Sequence, residues 1–155
     1  MKKILYISII FLSANAISQE LIPLDEWDKK TSNWSNQPSE VVYMLGRCGA
    51  ALMAMSSYFK ANSNNDKKIE KDAESLLDKS KSFASLSLEV GQSIGATEKF
   101  LMDRMEALVK IYIGDIISNK KIHNSAFGKN FQTDINFCTT YYPLIFNSDG
   151  TRRKP

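Results

Sequence analysis

Residues 38–61 read PSEVVYMLGRCGAALMAMSSYFKA, and this stretch decides the fold. Val41, Leu45, Cys48, Leu52, Met55 and Phe59 recur at alternating steps of four and three, the period of one face of an α-helix. Pro38-Ser39-Glu40 supplies the start, because proline is tolerated in the first helical turn, and Ala61-Asn62 the end. From Val41 to Phe59 the only charge is Arg47, and the side away from the stripe carries Gly46, Ala50 and Ala54. A helix apolar nearly all round is central or covered on two sides. A membrane-spanning reading would have to place Arg47 near mid-span, at a cost of about 2.5–3.5 kcal/mol. The buried-helix reading is therefore preferred.

Working outward, a second helix is expected from Asp66, with Ile69, Ala73, Leu76, Ser80, Phe83, Ser87 and Gly91 facing inward and Gly91 to Gly95 stopping it. Thr97 can cap a third, whose stripe is Leu101, Met105, Leu108, Tyr112 and Ile116 beneath the charged Asp103, Glu106 and Lys110. It frays near Asn119, and the polar segment 118–130 reads as a loop. Phe131, Ile135, Cys138, Tyr142 and Ile145 then repeat the stripe in a fourth helix that Pro143 kinks or shortens. No run shows the period of two expected of a sheet. The expectation is all-α: a small up-down bundle of about four helices over 38–147, behind an irregular N-terminal arm over 17–37. Within the arm one short helical turn is expected around Asp25 to Lys30, with Trp27 and Trp34 packing it onto the bundle.

The first residues carry the grammar of a secretory signal: Lys2 and Lys3, an apolar run from Ile4 to Leu12, then Ala14-Asn15-Ala16. Cleavage is expected after Ala16, since the apolar run is about half the roughly 20 residues a spanning helix needs. Residues 1–16 are thus read as a cleaved signal peptide, leaving no stable membrane anchor and a periplasmic or secreted product. Losing two lysines takes the formal net charge from +3 to +1, with charges interspersed, so nucleic-acid binding is not expected. The only basic cluster, Arg152-Arg153-Lys154, falls in a tail over 148–155 read as disordered. The 139 residues after Ala16 suffice for one core that buries about two-thirds of the unfolded surface.

Cys48 and Cys138 both follow the cut, and export delivers them to an oxidising compartment, so a single disulfide between the first and last bundle helices is expected. On the chain-entropy account it restricts the unfolded chain by about 4–5 kcal/mol. A redox-active pair is the alternative, but the Cys-x-x-Cys spacing of such pairs is absent.

Helical spacing puts Arg47 on the same side as Tyr43, Ala54 and Tyr58. A guanidinium between two phenols, with small residues between, could floor a pocket for a small anionic ligand or form a hot spot for an envelope protein. The plainer reading is a structural ion pair, since a buried charge needs a partner on a neighbouring helix. Asp134, one turn from the expected bridge, and Asp115, inside the apolar run 111–117, are the candidates.

Chemistry-bearing motifs are sparse. His123, the only histidine, falls in the loop before the fourth helix without a second ligand at metal spacing, and no Cys-x-x-Cys-His run exists for haem. No cofactor and no catalytic residue are called for. Gly91-Gln92-Ser93-Ile94-Gly95 spells a nucleophile elbow, but that motif needs a strand before its serine and here a helix ends. Asn33-Trp34-Ser35 fits a glycosylation sequon, read as chance. These observations favour a non-enzymatic exported binding protein of the bacterial envelope, acting through Tyr43, Arg47 and Tyr58 or through the aromatic arm. Two other readings remain: a small envelope hydrolase with a carboxylate acid or base, and a membrane-active protein that exposes the apolar helix.

Overall fold

The computed structural model describes residues 21–154; the expected signal peptide at 1–16 lies outside them. Five α-helices follow in order: α1 Leu24–Lys30, α2 Pro38–Ala61, α3 Lys67–Ser93, α4 Glu98–His123 and α5 Lys129–Ile145. A 3-10 turn at Trp34–Asn36 joins the first two. No strand forms among the described residues; Phe146 and Arg152 make an isolated bridge. The fold is thus all-helical, with five helices rather than four because the arm contains α1.

The local signals act as their chemistry demands. Asp66 caps α3 by accepting from the N–H groups of Lys68 at 2.8 Å and Ile69 at 3.3 Å, and Thr97 caps α4 through Phe100 N–H at 3.3 Å. At the end of α3, Gly95 takes φ +89° and donates to the Gln92 carbonyl, while Ala96 donates to that of Gly91, both at 3.0 Å. That pair of bonds is a Schellman stop, which requires the left-handed conformation glycine adopts without steric cost.

α2 is the hub, touching α3, α4 and α5. Its seam with α3 is built from small residues. A Cβ added at Gly49 would stand 3.4 Å from the Ser80 carbonyl oxygen and 3.5 Å from the Ala84 nitrogen, so the two backbones lie close. Three hydroxyls stitch it: Ser80 donates to the Gly49 carbonyl at 2.7 Å, Ser87 to Val42 at 3.1 Å and Ser56 to Ala73 at 2.6 Å. On the opposite side the Cys48–Cys138 disulfide ties α2 to α5, with Leu45, Leu52, Phe83, Leu108 and Phe131 in the same buried cluster. All five stripe residues of α4 are buried.

Three boundaries differ from expectation. The loop read over 118–130 shrinks to 124–128, because α4 continues to His123, the positive charge of Lys120 and Lys121 suiting a helix C-terminus. His123 therefore sits in the last turn of α4 and not in a loop, and Asn124, left-handed at φ 52°, ends the helix. The tail read as disordered turns back instead: Asn147 N–H reaches the Thr151 carbonyl and Arg153 N–H that of Ile145, both at 2.8 Å. Arg153 Nε also donates to the Phe146 carbonyl at 3.0 Å. Pro143 lies inside α5, which ends two residues later.

Candidate functional site

Arg47 projects from the middle of α2 into a space closed by α1, α4 and α5, and its side chain is 0 % exposed. Its Nη2 pairs with Oδ2 of Asp134 on α5, itself 2 % exposed. Nε donates to the Tyr112 hydroxyl of α4 at 3.1 Å. Nη1 is shared between the Ile22 carbonyl at 2.6 Å and the Tyr43 hydroxyl at 3.1 Å. Tyr112 donates its own proton to Asp134 Oδ2, and Asp134 Oδ1 accepts from the Leu24 N–H at 2.7 Å. No buried side-chain nitrogen or oxygen among the described residues lacks a hydrogen-bond partner.

The electrostatics follow from enclosure. Burial presses Arg47 toward neutrality, but the oxygens of Tyr112, Asp134 and Tyr43 oppose it more strongly and hold the guanidinium above its usual range. Burial, with the Asp134 charge beside it, likewise pushes the Tyr112 phenol well above the tyrosine range. The cluster is therefore a salt bridge with two phenol partners, closed on one side by backbone groups of the arm. Leu24 N–H is a first-turn donor of α1 with no intrahelical acceptor, so the carboxylate caps the helix from another element.

Of the residues singled out in the sequence, Tyr43, Arg47 and Asp134 come together, and Cys48 and Cys138 are bonded one position or one turn away. Tyr58 does not join them. It packs on Phe127 with ring centroids 5.2 Å apart, and Lys120 Nζ lies 5.3 Å from its ring. Eleven residues along a helix is about 16 Å, so Tyr58 shares the angle of Arg47 and not its level. Asp134, not Asp115, receives the guanidinium; Asp115 instead lines, with Asn119, Asn130 and Asp134, a hollow of about 230 Å³ beside the network. Missed in the sequence were Tyr112 and the backbone of Ile22 and Leu24. Tyr112 had one signal: a tyrosine on an inward stripe must find a partner for its hydroxyl.

Over the arm runs a chain of aromatic rings. Trp27 lies 5.5 Å from Tyr43 and 5.4 Å from Trp34, Trp34 lies 5.9 Å from Tyr141, and Tyr141 stacks on Phe137 at 4.4 Å. Trp27 and Phe137 are buried, while Trp34 and Tyr141 reach the surface half-buried.

Among the described residues no three His, Cys, Asp or Glu side chains are placed to hold a metal ion, and no helix is long and apolar enough to cross a membrane. Comparison with protein-family models, with curated proteins and with solved structures returns no match.

Proposed function

We propose that this chain is an exported, non-enzymatic interaction protein of the bacterial envelope, and that its contact surface is the arm and the neighbouring face of α5. The observation that carries this reading is the aromatic ladder. Trp34 and Tyr141 are half-exposed, yet each is braced by other rings, and the arm beneath is pinned by Arg47 and Asp134. Aromatic anchors already fixed in place bind a partner with little further loss of side-chain freedom, and such residues dominate interface energetics. Arg47 contributes indirectly. Its donors are committed to Asp134, two tyrosines and the Ile22 carbonyl, which leaves a small anionic ligand no fork to grip.

Export supports the same reading. The leader grammar of residues 1–16 calls for a periplasmic or secreted product, and the Cys48–Cys138 disulfide suits an oxidising compartment. The test is photo-crosslinking in cells, with a benzoylphenylalanine placed at Trp34, at Tyr141, or at Asp72 on the solvent face of α3. A discrete adduct from the first two positions and none from the third is expected. Equal labelling from all three, or none from the arm, overturns the assignment.

A further inference from the structure

The outer end of the aromatic ladder holds a negative charge that no cation of the described chain meets. On α1, Asp25 pairs with Lys29 and Glu26 with Lys30, both at 3.6 Å and one turn along the helix. Asp28, the third acid of α1, has Ser32 at the same spacing. Its Oδ1 accepts instead from the indole Nε1–H of Trp34, and among the described residues no lysine, arginine or histidine forms an ion pair with it. An indole N–H is a neutral donor and fills one of about four acceptor positions on a carboxylate. The half-buried Asp28 therefore keeps its charge at the edge of the ring. Tyr141, its ring 5.9 Å from that of Trp34, lies within the same field: burial, and then the Asp28 charge, push its phenol above the ordinary value.

These two rings also lack what other tyrosines of the chain have. Lys79 stands over Tyr142 at 5.6 Å, Arg104 over Tyr43 at 5.2 Å and Lys120 over Tyr58 at 5.3 Å. Among the described residues no basic side chain covers Trp34 or Tyr141, although both reach the surface. Indole is the ring that attracts cations most strongly, and the attraction grows where water is excluded. Ring faces beside a carboxylate that lacks a counter-charge are the parts from which a cation site is made. Leu144, one turn beyond Tyr141 on α5, is 66 % exposed and sets an apolar contact next to them.

We propose that Asp28, Trp34 and Tyr141 recognise a basic side chain of the partner, whose charge meets Asp28 and whose stem lies along the two rings, with an apolar neighbour on Leu144. The inference rests on the arm being the contact surface, and it gives the partner a chemistry: a segment with an arginine or lysine beside a hydrophobic residue. A neutral saccharide also stacks on aromatic faces, but it would leave the Asp28 charge unmet.

The probe is N-acetyl-arginyl-leucine amide, titrated into the exported protein with its disulfide intact. Nuclear magnetic resonance reads the indole N–H signals of Trp27 and Trp34, the chain's two tryptophans. The Trp34 signal should shift saturably, and the same peptide with citrulline, which has the shape of arginine without its charge, should bind at least tenfold more weakly. Asp28→Asn keeps an acceptor for the indole N–H, so the fold should hold by circular dichroism while affinity for the arginine peptide falls at least tenfold. Asp25→Asn, which removes a charge from the same helix, should leave that affinity within twofold. An unmoved Trp34 signal, equal binding of the two peptides, or equal losses from the two substitutions overturns the inference. Saturable binding of N-acetylglucosamine oligomers that ignores Asp28→Asn overturns it in favour of a saccharide. Photo-crosslinking in cells from a benzoylphenylalanine at Leu144 separates this inference from the assignment of the arm. An adduct lost in Asp28→Asn supports it, and an adduct retained there removes basic recognition but leaves the contact surface. No adduct even with Asp28 in place removes the contact surface itself.

Discussion

The two sides of α2 solve the same problem by opposite means. Toward α3 the helix presents Gly46 and Gly49, and the seam closes through backbone proximity and neutral hydroxyl bonds from Ser56, Ser80 and Ser87. Toward α5 and the arm it presents Arg47 and Cys48, and the seam closes through one ion pair, two phenols and a disulfide. The first seam is tolerant: each contact is small and replaceable. The second is unforgiving, because a buried charge left without its partner costs several kcal/mol, whereas a lost neutral hydrogen bond costs about one.

That contrast sets the expected order of effects. Asp134→Ala should be the most damaging, at about 3–5 kcal/mol in chemical denaturation, since it strands the Arg47 guanidinium and removes the acceptor of Leu24 N–H. Replacing both charges, as Arg47→Met with Asp134→Leu, should cost clearly less than Asp134→Ala alone; an equal or greater cost would mean that the arm's backbone bonds, not the stranded charge, carry the penalty. On the other side, Gly49→Val should cost about 1–3 kcal/mol by forcing α2 away from Ser80 and Ala84. Ser80→Ala should cost about 0.5–1.5 kcal/mol, the mildest substitution of the set.

The charged seam also gives a pH signature that the neutral one lacks. Tyr112 holds its proton above the tyrosine range in the fold but titrates near its ordinary value, about 10, when unfolded. Its contribution is complete below pH about 10 and is lost as pH rises beyond, because only the unfolded chain gains by ionising. Denaturation midpoints should therefore fall above pH about 10, and Tyr112→Phe should flatten that fall. A wild-type midpoint that holds steady through this range would contradict the assigned environment.

Which parts were legible in the sequence follows the same division. The neutral elements were written locally: Asp66 and Thr97 cap where their side chains permit, Gly95 stops α3, and the five-residue stripe of α4 is buried in full. Arg47 announced itself as the only charge in an apolar helix, and Asp134 was reachable because it stands one turn from Cys138. Tyr112 carried one signal, its place on the inward stripe of α4, and the arm's part carried none. The carbonyl of Ile22 and the N–H of Leu24 are backbone groups, which carry no residue signature, and their place depends on where the arm comes to rest. Tyr58 shows the opposite failure, an angular coincidence on a helical wheel that ignored rise along the axis. Residues 118–123 have the polar composition of a loop, yet the same lysines, Lys120 and Lys121, suit the last turn of a helix, and α4 continues through them.

The most direct test of the account is hydrogen exchange at the Leu24 amide, whose acceptor among the described residues is a carboxylate 110 residues away. If Arg47 and Asp134 latch the arm, Leu24 exchanges slowly in the wild type. In Asp134→Ala, which removes that acceptor, it should speed up by orders of magnitude, while amides in the middle of α3 keep most of their protection. Fast exchange at Leu24 in the wild type, or unchanged protection in Asp134→Ala, would contradict the latch.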